Sequence, residues 1–349
     1  MAWACNYVWN FCNETAFAGI RNKSEWLSGF DLQKLTSGAS KELGLNSTTI
    51  QEICAEYGLR RNKAKKRKLR WRSKKSLGWI PFKKTGVKFK NGKVIYYGQE
   101  FSLFQPERLP ADGTYGAGEF CQDARGRWYL CISVHYELPH APAHGEVGID
   151  LGLKTLATLS NGQKVKNGRY YRMMESRLAN AQRSNRKRLT KTLHAKIRNK
   201  RLDDLHKAST QIVLENKLIV VGKLSVKKMI KTKMAKSTHD AGTSMFKTML
   251  KYKASALQRV YVEVDETNTT RTCSVCGVIP DSSPKGLKGL SIREWVCCEC
   301  GAIHDRDKNA ALNILRIGRD ALAPKVAQES PGFSRGEDVK SDLRVSRIL

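Results

Sequence analysis

Gly148-Ile-Asp-Leu-Gly-Leu-Lys-Thr-Leu-Ala-Thr-Leu159 reads as two strands folded back at Gly152, with Asp150 inside the first. An acid in a strand is most often one half of a surface salt bridge, so this stretch takes its meaning from its surroundings. Downstream, Asn216-Lys-Leu-Ile-Val-Val-Gly-Lys-Leu-Ser-Val-Lys-Lys-Met229 reads as a buried strand leaving into a basic loop, with Gly222 at the strand end. Further on, Asp307 lies in His304-Asp-Arg-Asp-Lys-Asn-Ala-Ala-Leu-Asn-Ile-Leu315, just after a cluster of cysteines. The long segment Arg169 to Glu215 is strongly basic and mostly helical, with an apolar stripe at Leu193, Ile197, Leu205, Ala208 and Ile212.

The regions before this domain differ in character. Residues 1 to about 58 are helical in pattern, with Trp3, Tyr7, Val8 and Phe11 at helix spacing, and Asn46-Ser-Thr-Thr-Ile-Gln51 offers a second helix start capped by Ser or Thr. From Leu59 to Lys75, eleven of seventeen residues are Lys or Arg, with Trp71 among them, which favours phosphate contact over a plain linker. Between about 78 and 146 the chain reads as strands. Val87 to Tyr96 forms two arms around Asn91-Gly92, a type I′ hairpin turn, and Trp128, Leu130, Ile132, Val134 and Tyr136 alternate along one face. A small β-barrel closes such hairpins without exposed edges. Beyond about residue 320, Ser330-Pro-Gly and mixed charge read as a disordered tail.

The 349 residues carry 63 Lys and Arg against 32 Asp and Glu, a formal charge of +31. Self-repulsion of that size calls for a polyanionic partner, and nucleic acid is the expected one. Neither a membrane-spanning run nor a signal peptide is present in the pattern, which together with scattered cysteines points to a reducing, cytoplasmic setting. Cys273-Ser-Val-Cys276 and Cys297-Cys-Glu-Cys300 are two C-x2-C knuckles separated by twenty residues. Four thiolates at this spacing predict a closed, structural Zn²⁺ site, a zinc ribbon of about residues 266–304, with Cys298 spare and His304 a supporting or surface residue and not a ligand. Phosphodiester hydrolysis by two metals needs several converging carboxylates. Asp150 and Asp307 could supply two.

On these residues the chain resembles the TnpB family of transposon-encoded, RNA-guided DNA nucleases. The resemblance runs from about Ala4 to Ile317 and is closest at Gly148–Leu153, Tyr252–Gly277 and Cys297–Leu315. It implies a multidomain α+β fold: a helical recognition lobe with its basic segment (1–75), a small wedge-type, OB-like β-barrel (76–145), a RuvC-like, RNase H-type α/β domain (146–317) with the inserted four-cysteine zinc ribbon, and a flexible tail (318–349). Family members open with a strand rich in Phe, Arg, Tyr and Pro ahead of the helix matched by Ala4–Asn10. This chain starts inside that helix, which implies a truncated start or a barrel completed differently.

In the family the RuvC-like aspartates match Asp150 and Asp307, and the middle motif Glu-Asp-Leu-Asn matches Gly222-Lys-Leu-Ser225. No other acid lies between Glu215 and Asp240, and Lys223 adds a cation. Mg²⁺ binding is therefore expected to be weak or absent, with Glu215 or Asp265 the poor substitutes within reach. The implied function is that of the nuclease-dead TnpB-like repressors: guide-directed occupation of promoter DNA beside a short adjacent motif, without cutting. The implied partners are an omega-type guide RNA and double-stranded DNA, bound by a monomer. The expected contacts to nucleic acid are Arg60, Arg61, Lys63, Lys65, Lys66, Arg67, Lys68, Arg70, Trp71 and Arg72, together with Arg186, Lys187, Arg188, Lys191, Lys196, Arg198, Lys200 and Arg201. The alternatives are an active endonuclease with a relocated catalytic acid, a decayed transposon product, and a sequence-indifferent RNA-binding protein.

Overall fold

The computed structural model describes residues 1–326 except 24, 111, 138–141, 224–236, 238–239 and 287. The predicted basic loop after Gly222 and the predicted tail beyond 326 lie outside the described residues. The chain divides after Glu137 into two compact units.

The first unit begins with helices α1 (Ala2–Lys23), α2 (Gly29–Leu35), α3 (Ser40–Leu43) and α4 (Ser47–Ala64). The α4 cap is Asn46 and not a Ser or Thr, its side chain accepting from the Thr48 N–H. Strands β1 (Trp79–Phe82) to β6 (Trp128–His135) follow: β2 (Val87–Lys90), β3 (Lys93–Tyr96), β4 (Gln99–Ser102) and β5 (Thr114–Gln122) lie between them. The predicted hairpin is present, with Asn91 and Gly92 both at positive φ and Lys90 opposite Lys93. The described strands pair as two separate three-stranded antiparallel sheets, β1-β5-β6 and β2-β3-β4, where a closed barrel was expected. Aromatic contacts such as Phe101 with Phe120 and Phe89 with Tyr115 join the sheets face to face, so side chains cover what barrel closure would have covered. One continuous core runs from Val8, Trp9 and Tyr57 of the helices to Phe82, Tyr96 and Phe120 of the strands. Helical lobe and strands thus share one core within the first unit.

The second unit is built on a five-stranded sheet, ordered β11-β10-β7-β8-β9. Strands β7 (Gly145–Leu151), β8 (Thr155–Leu159) and β9 (Lys164–Lys166) form an antiparallel meander. Strands β10 (Asn216–Gly222) and β11 (Val260–Val264) add to it parallel to β7. Such parallel additions need crossover connections. The β9-to-β10 crossover contains α5 (Tyr170–Arg183) and α6 (Lys187–Glu215), and α7 (Thr243–Ala256) precedes β11. Leu193, Ile197, Leu205 and Ile212 of the predicted stripe are buried. The small ribbon β12 (Glu294–Val296) and β13 (Ile303–Asp305) leads into α8 (Arg306–Val326), which continues past the predicted tail boundary at 318.

Candidate active site

Helix α8 lies directly on the sheet because residue 148 has no side chain. A Cβ on Gly148 would fall 2.1 Å from the Ala311 carbonyl oxygen and 2.7 Å from the Leu315 nitrogen. Side chains alternate along a strand, so Asp150, two residues on, shares that face. Strand β10 pairs with β7 up to Val221 opposite Ile149, which sets Gly222 level with Asp150 one step further. On its other side Gly222 is opposite Val264 of β11, and Glu266 follows two residues later. Asp307 stands in the first turn of α8, whose start is capped by the Asp305 carboxylate accepting from the Asp307 and Lys308 N–H groups.

Gly222 therefore belongs with Asp150 and Asp307, and its missing side chain leaves a space that Glu266 fills. A Cβ at 222 would lie 2.6 Å from the Glu266 carboxylate oxygen Oε2 and 3.2 Å from Ile314 Cδ1. The Glu266 backbone carbonyl is fixed by the Thr269 N–H and hydroxyl. Thr269 is in turn held to α8, its carbonyl accepting from the carboxamides of Asn309 and Asn313. The Asn-Ala-Ala run after Asp307 thus supplies the anchor for the turn carrying Glu266.

The electrostatics describe a crowded acidic site. Asp150 is pushed up to about 7, first by burial, then by the negative charges of Glu266 and Asp307, with Arg306 opposing. Burial, then Asp265, also raises Glu266. Asp307 accepts from Arg306 at 2.9 Å and from Arg293 at 3.1 Å. The carboxylates sense one another electrostatically without closing into a tight cluster: among the described residues, only the four cysteines and the Glu119, Cys121 and Cys131 group bring three or more metal-capable atoms within 4.8 Å of one another. Asp265 is turned into its own loop, accepting from the Thr267 N–H and hydroxyl, and Glu215 accepts from Gln211. Both named substitutes are thus engaged elsewhere.

The Sγ atoms of Cys273, Cys276, Cys297 and Cys300 all lie within 4.8 Å of one another and could hold a metal. The two knuckles are built alike. Cys273 and Cys297 donate their N–H groups to Val278 and Ala302, and their carbonyls accept from Gly277 and Gly301, both at positive φ. Burial would raise the Cys273 thiol, yet the Cys276 and Val275 N–H groups and the His304 ring bring it down to about 6. His304 is buried and not at the surface, packed on Trp295 with Nε2 3.0 Å from Cys273 Sγ. The Ser274 N–H donates to the Asn309 side chain, tying this module to α8.

Comparison with known proteins places this arrangement. Residues 244–314 match the Cas12f1-like TNB domain family, and residues 129–233 match the OrfB_IS605 family, described as "Probable transposase". A "Putative RNA-guided DNA endonuclease" of Streptomyces pristinaespiralis is 32% identical over 317 residues, covering 86% of this chain and 77% of that relative. The chain belongs to the TnpB family. A second relative, "Putative RNA-guided DNA endonuclease InsQ" of Escherichia coli (strain K12), is 28% identical across 57% of this chain and 56% of its own length. The solved Cas12f1–sgRNA–target DNA complex matches the fold with a TM-score of 0.57 at 14% identity, covering 90% of this chain and 81% of that one.

Within this TnpB chain the predicted nucleic-acid contacts divide into two groups. Lys63, Lys65, Lys66, Arg67, Lys68, Arg70, Trp71, Arg186, Lys187, Arg188, Lys191, Lys196, Arg198 and Lys200 are exposed, as is Arg60, which pairs with Glu56. Three arginines are engaged within the protein. Arg61 is fully buried, stacked 3.8 Å from the Trp26 ring centroid and donating to the Leu27 carbonyl. Arg72 is held over Trp9 and Trp79 and donates to Asn6. Arg201 pairs at 2.8 Å with the buried Asp240. In each case neighbours from elsewhere in the chain hold the guanidinium, which residue type alone does not reveal.

Proposed function

We propose that this protein is an RNA-guided DNA endonuclease whose RuvC-like, RNase H-type site draws its third carboxylate from Glu266. The observation carrying this reading is the Glu266 carboxylate lying in the space that a side chain at 222 would occupy. The sheet order, three antiparallel strands followed by two parallel additions, suits an RNase H-type site with acids from the first strand, a later strand end and a helix start. The donor set of Asp150, Glu266 and Asp307 fits Mg²⁺: all ligands are oxygens, and their mutual repulsion, expressed in the raised Asp150, is relieved by a cation. Bound divalent ions would activate water and stabilise the leaving oxygen. The chain's own part is to hold the three carboxylates on a rigid sheet and helix, while Arg293 and Arg306 keep Asp307 oriented. By analogy with the relatives, a guide RNA selects the DNA and double-stranded DNA is the substrate.

The four cysteines are proposed to hold a structural Zn²⁺. Their Sγ pairs at 3.7 Å (Cys273, Cys300) and 3.8 Å (Cys276, Cys297) agree with the edge of about 3.8 Å expected for a tetrahedron of 2.3 Å Zn–S bonds.

The nuclease-dead repressor is the second reading, supported by the two arginines on Asp307, which compete with metal for that carboxylate. Co-expression with native flanking DNA, followed by an assay of a guide-matched duplex with Mg²⁺, separates the two. Cleavage lost in Asp150→Ala and Glu266→Gln, with binding retained, supports the endonuclease. Tight guide-dependent binding with uncut DNA supports the repressor.

A further inference from the structure

The basic stretch after α4 is pinned to α1, and the pins are asparagines. The Asn10 carboxamide donates to the Arg72 carbonyl at 2.7 Å and accepts from the Arg72 N–H at 2.8 Å. Asn13 does the same with Leu69, at 2.9 Å in both directions. Trp9 Nε1 donates to the Arg70 carbonyl at 3.3 Å, and Asn6 accepts from Arg72 Nε at 2.6 Å. A carboxamide pairing both backbone groups of one residue replaces a neighbouring β-strand at that position. Two such pairs three residues apart fix the register of a segment that has no regular structure.

The result is a sorting of side chains. Leu69 and Arg72 are drawn inward, while Arg67, Lys68, Arg70, Trp71, Lys74 and Lys75 face solvent. The Lys68 ammonium stands 5.9 Å from the Trp71 ring centroid. Adjacent like charges repel, so a run this basic is not expected to stay against the body unless something holds it. Here the groups that hold the backbone are buried and neutral, Asn13 fully buried and Asn10 nearly so, beside one exposed ion pair from Lys68 to Glu14 at 2.7 Å. The ordering entropy is spent before any partner arrives.

We propose that Asn10 and Asn13 are positioning residues that present Arg67–Lys75 as a preformed strip for the phosphodiester backbone of a nucleic-acid strand, with Trp71 stacking on a base. The cations suit phosphates and the exposed indole suits a base. The inference rests on the nucleic-acid part of the function proposed above and is independent of cleavage.

Its test uses the full-length protein freed of co-purifying RNA. Binding of labelled single-stranded RNA and of a labelled DNA duplex is measured across a salt series without Mg²⁺, so an inactive catalytic site leaves the result untouched. Arg70→Ala/Trp71→Ala/Lys74→Ala alters only exposed side chains and should weaken binding at least tenfold, with a salt slope shallower by about 0.7 to 0.9 per lost phosphate contact. Asn10→Ala should weaken binding about fivefold or more with a similarly shallower slope, and should add little in the triple-variant background. A merely structural asparagine would instead give additive losses and an unchanged slope. Loss seen only with RNA assigns the strip to the guide strand, and loss seen only with the duplex assigns it to DNA. Binding that survives the triple variant overturns the strip, and additive Asn10→Ala losses overturn the positioning role. Wild-type protein that binds neither probe removes the underlying reading.

Discussion

Asp150 is the residue whose chemistry most constrains the site. Burial and two neighbouring acids raise it to about 7, well above its value in the unfolded chain. In the metal-free protein the folded state therefore holds this proton where the unfolded state has lost it, so stability falls as pH rises from about 4 to about 7. Asp150→Asn removes that penalty. It should stabilise the metal-free protein at pH 8 by up to about 4 kcal/mol, read by denaturant unfolding, while abolishing any metal-dependent activity. The same proton must leave when a cation binds, so Mn²⁺ or Mg²⁺ affinity should weaken as pH drops below about 7, with proton release measurable by calorimetry in two buffers. Asp150 and Asp307 were legible in sequence because each sits in a short local motif. Glu266 was not, because its place depends on the β10–β11 register and on an anchor from Asn309 and Asn313. The signal within reach was an acid two residues past an apolar strand, next to the acid that was named. The internal contacts of Arg61, Arg72 and Arg201 were not legible for the complementary reason: a basic run does not say which guanidiniums turn inward.

At the scale of elements, the site depends on α8 lying close to β7. Gly148→Ala would place a methyl group 2.1 Å from a helix carbonyl, so α8 must move off the sheet. The expected cost is about 2–4 kcal/mol, read as a lowered thermal midpoint, with loss of activity as Asp307 is displaced. The cysteine module is coupled to the same helix through Asn309. Metal analysis should find one Zn²⁺ per chain, and Cys276→Ser or chelation should release it, lower the thermal midpoint and also impair the acidic site. The hairpin at Asn91-Gly92, the β7–β8 pair and the stripe of α6 followed from local chemistry and formed as read. The closed barrel did not, because the described strands stay in two sheets joined by aromatic packing, and alternation alone does not say which edges pair. The continuation of α8 to Val326 was missed because charged residues mask a helix that packs through only one face.

For the whole molecule, a large positive charge, a four-cysteine module and a five-stranded sheet with acids near its strand ends accompany membership of the TnpB family. Whether this member cuts depends on whether Glu266 has taken over from position 222. The most direct measurement is Mg²⁺-dependent cleavage of a guide-matched duplex by the RNA-bound protein, comparing wild type, Glu266→Gln, and Glu266→Ala combined with Gly222→Glu, where the first change clears the space that the second needs. The account predicts cutting by wild type, a loss of at least about a hundredfold in Glu266→Gln with DNA binding intact, and partial recovery in the combined variant. Equal cutting by Glu266→Gln, or a wild-type complex that binds the matched duplex and leaves it whole, would contradict it.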